Sequence, residues 1–136
     1  MSTEPTPIEP NQLPPKLRGW FHLAATPLVI IASLVLFILS GESFKWAVAL
    51  YSLTAIMLFS VSAIYHRVPW VPRKKKIWRR WDHANINLLI AGSYTPFAVA
   101  LLDDRDRNVL LAVVWIGALI GVALRVFWVG APRFLY

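Results

Sequence analysis

The sequence predicts an all-α integral membrane protein with four transmembrane helices. Of its 136 residues, 57% are hydrophobic, which is more than the roughly one half that is typical of soluble domains. Four stretches approach or exceed the roughly 20 apolar residues that a helix needs to cross a bilayer. The 14 lysines and arginines lie mostly between these stretches rather than within them. A soluble globule of this length is excluded, because it cannot enclose four helices that are apolar on all sides.

The four predicted spans differ in polarity. The first two are apolar apart from a few hydroxyl groups, one histidine and one proline. The third contains two asparagines, a glycine, a proline and two hydroxyl groups, so we expect it to pack among other helices. The fourth contains Gly117-x-x-x-Gly121. This spacing allows a close helix contact, and therefore a homo-oligomer, but it also occurs in helices without such a contact. The predicted spans cover residues 20–39, 46–65, 84–102 and 109–129.

The chain is expected to form one transmembrane domain, residues 16–136, after a proline-rich tail, residues 1–15. The tail contains two glutamates and lacks the basic and apolar regions of a signal peptide, so we expect it to be disordered. There is no cysteine, which excludes disulfides and thiolate metal sites.

Charge distribution predicts the orientation in the membrane. If the N-terminus is cytoplasmic, eleven of the 14 basic residues lie on the inner side, and the outer side has only Lys45, Arg105 and Arg107. Positive loops stay in the cytoplasm, so we expect both termini on the cytoplasmic side of the membrane. The net charge of +7 then reflects topology and not a nucleic-acid partner. The basic run Arg73–Arg80 is expected in a cytoplasmic loop, where it fixes the topology or binds anionic lipid.

Five polar residues are predicted to lie at one membrane level. Ser62 and His66 are four residues apart and share a helix face at the inner end of the second span. Asp82 and His83 begin the third span, after a loop of about fifteen residues. His22 lies near the inner start of the first span. All three histidines of the chain are therefore expected near one carboxylate.

Imidazole and carboxylate together suit zinc, and a third protein ligand with a bound water would make a hydrolytic site. Other interpretations remain open. The histidines are also suited to a membrane interface, and Asp82 is also suited to the N-terminus of a helix. Ser62 is a candidate nucleophile, although a serine at this position more often hydrogen-bonds within its own helix.

Four segments resemble the hemolysin III family of bacterial membrane proteins, which is related to the eukaryotic progestin and adipoQ receptors. They are "KLRGWFHLAATPL" (16–28), "SAIYHR" (62–67), "RRWDHANINLLIAGSYTPF" (79–97) and "GAPRFLY" (130–136). The resemblance implies a fold of seven transmembrane helices, of which this chain would hold the first four. It also implies a zinc site on the cytoplasmic side.

By this resemblance, His66 is a zinc ligand, Asp82 holds the water on the zinc, and Ser62 supports them. His22 matches the histidine of the first motif, and His83 belongs to the common Asp-His pair. The family's His-x-x-x-His on the last helix has no counterpart here, so the site is expected to be incomplete and the chain truncated. The implied function is part of a zinc-dependent lipid-amide hydrolase. A membrane-perturbing or pore-forming protein and an inactive fragment are the alternatives.

Overall fold

The structure is a computed structural model that describes residues 16–127, with side chains from residue 19 onward. This part of the chain folds into four α-helices, α1 (Lys16–Leu39), α2 (Lys45–Arg67), α3 (Pro72–Leu101) and α4 (Asp104–Phe127). Each is long and apolar enough to cross a membrane, so the all-α prediction with four spans is confirmed. The predicted tail and the closing segment 128–136 lie outside the described residues. The orientation of the termini stays a prediction.

The four helices form an open row. Across residues 16–127, inter-helix contacts occur only between α1 and α2, α2 and α3, and α3 and α4. The central helices α2 and α3 contain most of the buried residues, whereas α1 and α4 expose apolar side chains along most of their length. Exposed apolar surface of this kind is compatible with lipid, because hydrocarbon tails are as apolar as leucine.

Small residues bring α2 and α3 close together. On α3, Ala84, Ala91 and Ala98 are fully or almost fully buried, and their spacing of seven places them near one helix face. Gly92 packs directly against α2. A Cβ atom built on Gly92 would overlap the hydroxyl oxygen of Thr54 and come within 3.0 Å of the Thr54 Cβ. The two backbones therefore approach as closely as a glycine permits.

Polar contacts join α3 to α4. The indole Nε1 of Trp115 donates a hydrogen bond of 3.1 Å to the hydroxyl oxygen of Thr95, which is completely buried. A Cβ atom on Gly121 would lie 2.8 Å from Nδ2 of Asn87. Gly121 therefore packs against α3 within the chain, while a Cβ on Gly117 would meet nothing within 4 Å. A homo-oligomer through both glycines stays a prediction, with the Gly121 face already occupied by α3.

The basic segment before the third span is helical, and the prediction of a loop there is wrong. Helix α3 begins at Pro72, so the run Arg73–Arg80 lies on the helix and only residues 68–71 connect it to α2. Proline is favoured at the first position of a helix, and lysine and arginine are good helix formers. The hydropathy pattern identified residue 84, where the apolar part of α3 begins, whereas the helix itself begins at Pro72.

The start of α3 at Pro72 places Asp82 well inside the helix. Asp82 is the eleventh residue of α3 and does not lie at the helix N-terminus. The interpretation of Asp82 as a charge that stabilises a helix N-terminus is therefore wrong, because that interaction falls off within the first turn. The Asp82 side chain must instead be explained by what it meets on α2.

Candidate functional site

Helix α1 approaches α2 closely at the edge of the site. A Cβ atom on Gly19 would lie 3.1 Å from the Cβ of His66, so a larger residue would push the helices apart. His22 lies about one turn further along α1. The centroid of its ring is 6.3 Å from that of His66 and 5.7 Å from that of Phe59. The contact at Gly19 thus places His22 beside the end of α2.

The central pair of the site joins α2 to α3. Nε2 of His66 lies 4.0 Å from Oδ2 of Asp82. The side chains of His66 and Asp82 are 24% and 16% exposed, respectively, so the carboxylate is largely removed from bulk solvent. Ser62, one turn before His66 on α2, is buried. The structure thus brings together the two residues that the sequence singled out as metal ligands.

His83 has a defined hydrogen bond on its own helix. Its Nδ1 lies 2.6 Å from the carbonyl oxygen of Arg79. A carbonyl oxygen only accepts hydrogen bonds, so we assign the Nδ1 proton to this contact. In the neutral form of His83, Nε2 then carries the lone pair. The same Nδ1 is also 3.9 Å from Oδ2 of Asp82, which places two imidazoles within about 4 Å of one carboxylate.

These residues line one cavity of about 340 Å³. Its volume lies within the range of small-molecule sites, roughly 300–1,000 Å³. All five residues that the sequence singled out contribute to its wall, together with three that it missed. The lining residues are His22, Leu58, Ser62, Tyr65, His66, Asp82, His83 and Ile86.

Helical spacing could have identified the three missed residues. Leu58 lies four residues before Ser62, Tyr65 lies three residues after Ser62, and Ile86 follows Asp82 by four. Residues three or four apart share a helix face. The ring of Tyr65 packs against that of His66 with centroids 4.6 Å apart. Leu58 and Ile86 add an apolar wall to an otherwise polar cavity.

The donor atoms fit zinc in kind but not in number. Two direct ligands of a tetrahedral zinc ion, each at about 2.0–2.1 Å, stand roughly 3.4 Å apart. The separation of 4.0 Å between His66 Nε2 and Asp82 Oδ2 is about 0.6 Å longer than this. In the described part of the chain, no three His, Cys, Asp or Glu side chains form a group that could hold a metal ion. The pair is therefore at most half of a catalytic zinc site, which usually has three protein ligands.

Comparison with known proteins gives one consistent result. A family model described as "Haemolysin-III related" matches residues 12–136. The chain is 34% identical to "Hemolysin-3" of Bacillus cereus over 83 residues, which cover 61% of this chain and 37% of that protein. It is 30% identical to "Hemolysin-3 homolog" of Bacillus subtilis (strain 168) over 107 residues, 75% of this chain and 50% of that protein. The chain thus aligns with half or less of these curated relatives. No solved structure matches it.

Proposed function

The chain belongs to the haemolysin III family of multi-pass membrane proteins, and from this premise we propose that it carries a zinc-binding half-site formed by His66 and Asp82. The chemistry of this half-site is hydrolysis of lipid amides or related acyl compounds. The observation that carries the proposal is the distance of 4.0 Å between His66 Nε2 and Asp82 Oδ2, within a cavity that all three histidines of the chain line.

Burial supports a chemical role for this pair. Charged and imidazole groups inside a membrane protein are costly, and they persist where they pair with one another or line a polar cavity. Asp82 is 16% exposed and has imidazole nitrogens of two histidines within 4.0 Å. This position places the carboxyl group of Asp82 beside the imidazole nitrogens with which it would share a cation or a proton.

Four of the cavity residues have a definite part in the proposed reaction. Leu58 and Ile86 hold the hydrocarbon part of an acyl substrate, and the buried Ser62 offers a hydroxyl group to the polar end. Asp82 accepts a proton from water as the water oxygen attacks the amide carbonyl carbon. The same proton then passes to the leaving amine as the C–N bond breaks, so that a carboxylic acid and an amine are the products.

Zinc would supply Lewis acidity at this position. A third protein ligand is needed for a catalytic site of the usual kind. His22 and His83 are the candidates, since both line the cavity. Because neither completes a three-residue metal group with His66 and Asp82 in the described part of the chain, we expect hydrolysis by this chain to be slow.

The zinc half-site is tested by metal content. Purified full chain, loaded with zinc and desalted, should retain metal that His66→Ala and Asp82→Asn lose. Asp104→Asn is the matched control. Asp104 is the first residue of α4, at the ends of the helices that lie on the other membrane side from the cavity, and it pairs with Arg107. The Asp104→Asn variant should retain as much zinc as the wild type. Near-zero zinc in the wild type, or equal zinc in all four proteins, would overturn the proposal.

The third ligand is identified by the same measurement. His22→Ala and His83→Ala are compared for retained zinc and for release of fatty acid from an N-acyl amide in micelles. The variant that lowers both readouts identifies the ligand. If zinc binding is intact but no fatty acid is released by any protein, the half-site stands and the hydrolase chemistry does not.

A second candidate function is permeabilisation of membranes. It is favoured by the name Hemolysin-3 of the relatives and by buried polar side chains along α2 and α3, among them Ser52, Thr54, Asn85 and Thr95. Two buried polar atoms, Ser52 Oγ and Asn85 Oδ1, have no hydrogen-bond partner among the described residues, and bound water would satisfy them. Dye release from vesicles tests this function, and an absence of leakage at high protein-to-lipid ratio would exclude it.

A further inference from the structure

The N-terminal part of α3 projects beyond the level of the site. Asp82 meets His66, the second-last residue of α2, and ten residues of α3 precede Asp82. At 1.5 Å per residue these ten residues extend the helix by about 15 Å. This length is enough to carry it through the headgroup layer of a bilayer, which is about 5–8 Å thick on each side. We call residues 72–81 the basic extension.

The charges of the basic extension are all positive. It contains six lysines and arginines and no aspartate or glutamate. Five of the six are exposed, and they are Arg73, Lys74, Lys75, Lys76 and Arg79. The sixth, Arg80, donates a hydrogen bond of 3.2 Å from Nη1 to the carbonyl oxygen of Val126 on α4. This contact ties the extension to α4 and leaves the other five cations facing outward.

Aromatic side chains surround the base of the basic extension. The rings of Trp70 and Trp78 are stacked, with centroids 5.0 Å apart, and Trp70 Nε1 donates to the carbonyl oxygen of Ile64. The Arg67 guanidinium lies 4.2 Å above the ring of Trp20. Tryptophan favours the boundary between hydrocarbon and headgroups, so these rings mark the membrane surface. The exposed cations of the extension then lie within a Debye length, about 10 Å, of the headgroups.

We propose that the basic extension is a docking surface for the headgroups of anionic phospholipids. Charge complementarity carries the proposal, since five exposed cations without an acidic neighbour in the extension face a layer of phosphate groups. A rigid helix that is stapled by the Trp70–Trp78 stack and by Arg80 loses less conformational freedom on binding than a flexible loop would. The connection between α3 and α4, on the other membrane side, lacks such a surface. Its two arginines lie among three aspartates, and Arg107 pairs with Asp104.

The test compares two double variants with the same change in charge. Full chain is reconstituted in phosphatidylcholine vesicles containing trace spin-labelled phosphatidylglycerol or phosphatidylcholine, and the motionally restricted fraction is measured by electron paramagnetic resonance. Lys74→Gln/Lys75→Gln removes two cations from the extension. Lys45→Gln/Arg105→Gln is the control, because it removes two cations near the starts of α2 and α4, on the other membrane side. A lysine near an anionic surface contributes about fivefold in association. Because two lysines are removed, we expect the first variant to lose at least fivefold of the preference for phosphatidylglycerol and the control less than twofold.

Salt and nucleic acid complete the test. About 1 M salt shortens the Debye length to about 3 Å, so it should abolish the preference in the wild-type chain without any mutation. Equal preference in the wild type and in Lys74→Gln/Lys75→Gln, with unchanged helix content, would overturn the proposal. It would also be overturned if the chain bound a short DNA duplex more tightly than phosphatidylglycerol vesicles and lost that binding in the same variant.

Discussion

The contact between Gly92 and Thr54 gives the sharpest prediction of stability. Alanine at residue 92 would place a Cβ atom in overlap with the Thr54 hydroxyl, 3.0 Å from Cβ and 3.1 Å from Cγ2. Exchange of the two γ positions by rotation of Thr54 would not relieve the overlap, because Oγ1 and Cγ2 both face the glycine. We therefore expect α2 and α3 to separate slightly or the helices to shift.

The magnitude follows from two opposing effects. Replacing glycine by alanine within a helix stabilises it by about 0.5–1 kcal/mol. Overpacking of a close contact costs about 1–3 kcal/mol, and the degree of overlap here places Gly92→Ala in the upper half of that range. The net destabilisation is then about 1–2 kcal/mol. Gly117→Ala is the matched control, since its Cβ would meet nothing within 4 Å, and it should show only the stabilising effect.

The assay is unfolding of the purified chain in mixed micelles by increasing SDS, followed by circular dichroism. We expect the free energies of unfolding of the two variants to differ by about 2–3 kcal/mol. Thr54→Ala in the Gly92→Ala background removes Oγ1 and Cγ2, and should recover about 1 kcal/mol through the coupling of the two sites. If Gly92→Ala is as stable as Gly117→Ala, the close approach of α2 and α3 at this point is refuted.

Two further predictions concern α3 and α4. Arg80→Ala removes the charged donor to the Val126 carbonyl near the negative end of a helix, and should lower the free energy of unfolding by about 1 kcal/mol. Arg79 is exposed, so Arg79→Ala should change the free energy of unfolding little. An equal loss of stability in both variants would contradict a stabilising role for the hydrogen bond from Arg80 to Val126. Trp115→Phe keeps an aromatic ring but loses the hydrogen bond to Thr95. It should cost about 0.6 kcal/mol, the average of such bonds in membranes. Thr95 also donates to the carbonyl oxygen of Ala91, so Thr95→Val should still cost stability when added to Trp115→Phe, but less than it costs in the wild type.

The sequence predicted the spans and the neighbourhood of the site because both follow from topology. Apolar length defines a span, and consecutive spans return the end of one helix to the start of the next. His66 and Asp82 were therefore expected at one level, and the structure places His66 Nε2 4.0 Å from Asp82 Oδ2. Their proposed roles with zinc stay a prediction.

Other features could not be read from apolar length. The start of α3 at Pro72 depends on the helix propensity of residues outside the membrane. A hydropathy pattern does not measure this propensity. The contact of Gly92 with Thr54 depends on the register between α2 and α3, which side-chain packing determines. The direction of the His83 ring likewise depends on a local hydrogen bond to Arg79, and no spacing rule reports it.

The open row of helices has a consequence for biosynthesis. Each of α2, α3 and α4 packs against the helix synthesised just before it, so within residues 16–127 these contacts can form as soon as each helix is inserted. Local contacts of this kind generally speed folding, and chains fold in the order in which they leave the ribosome. His66 on α2 is inserted beside α1 first. The contact between His66 and Asp82 can then form as soon as the next helix, α3, is inserted.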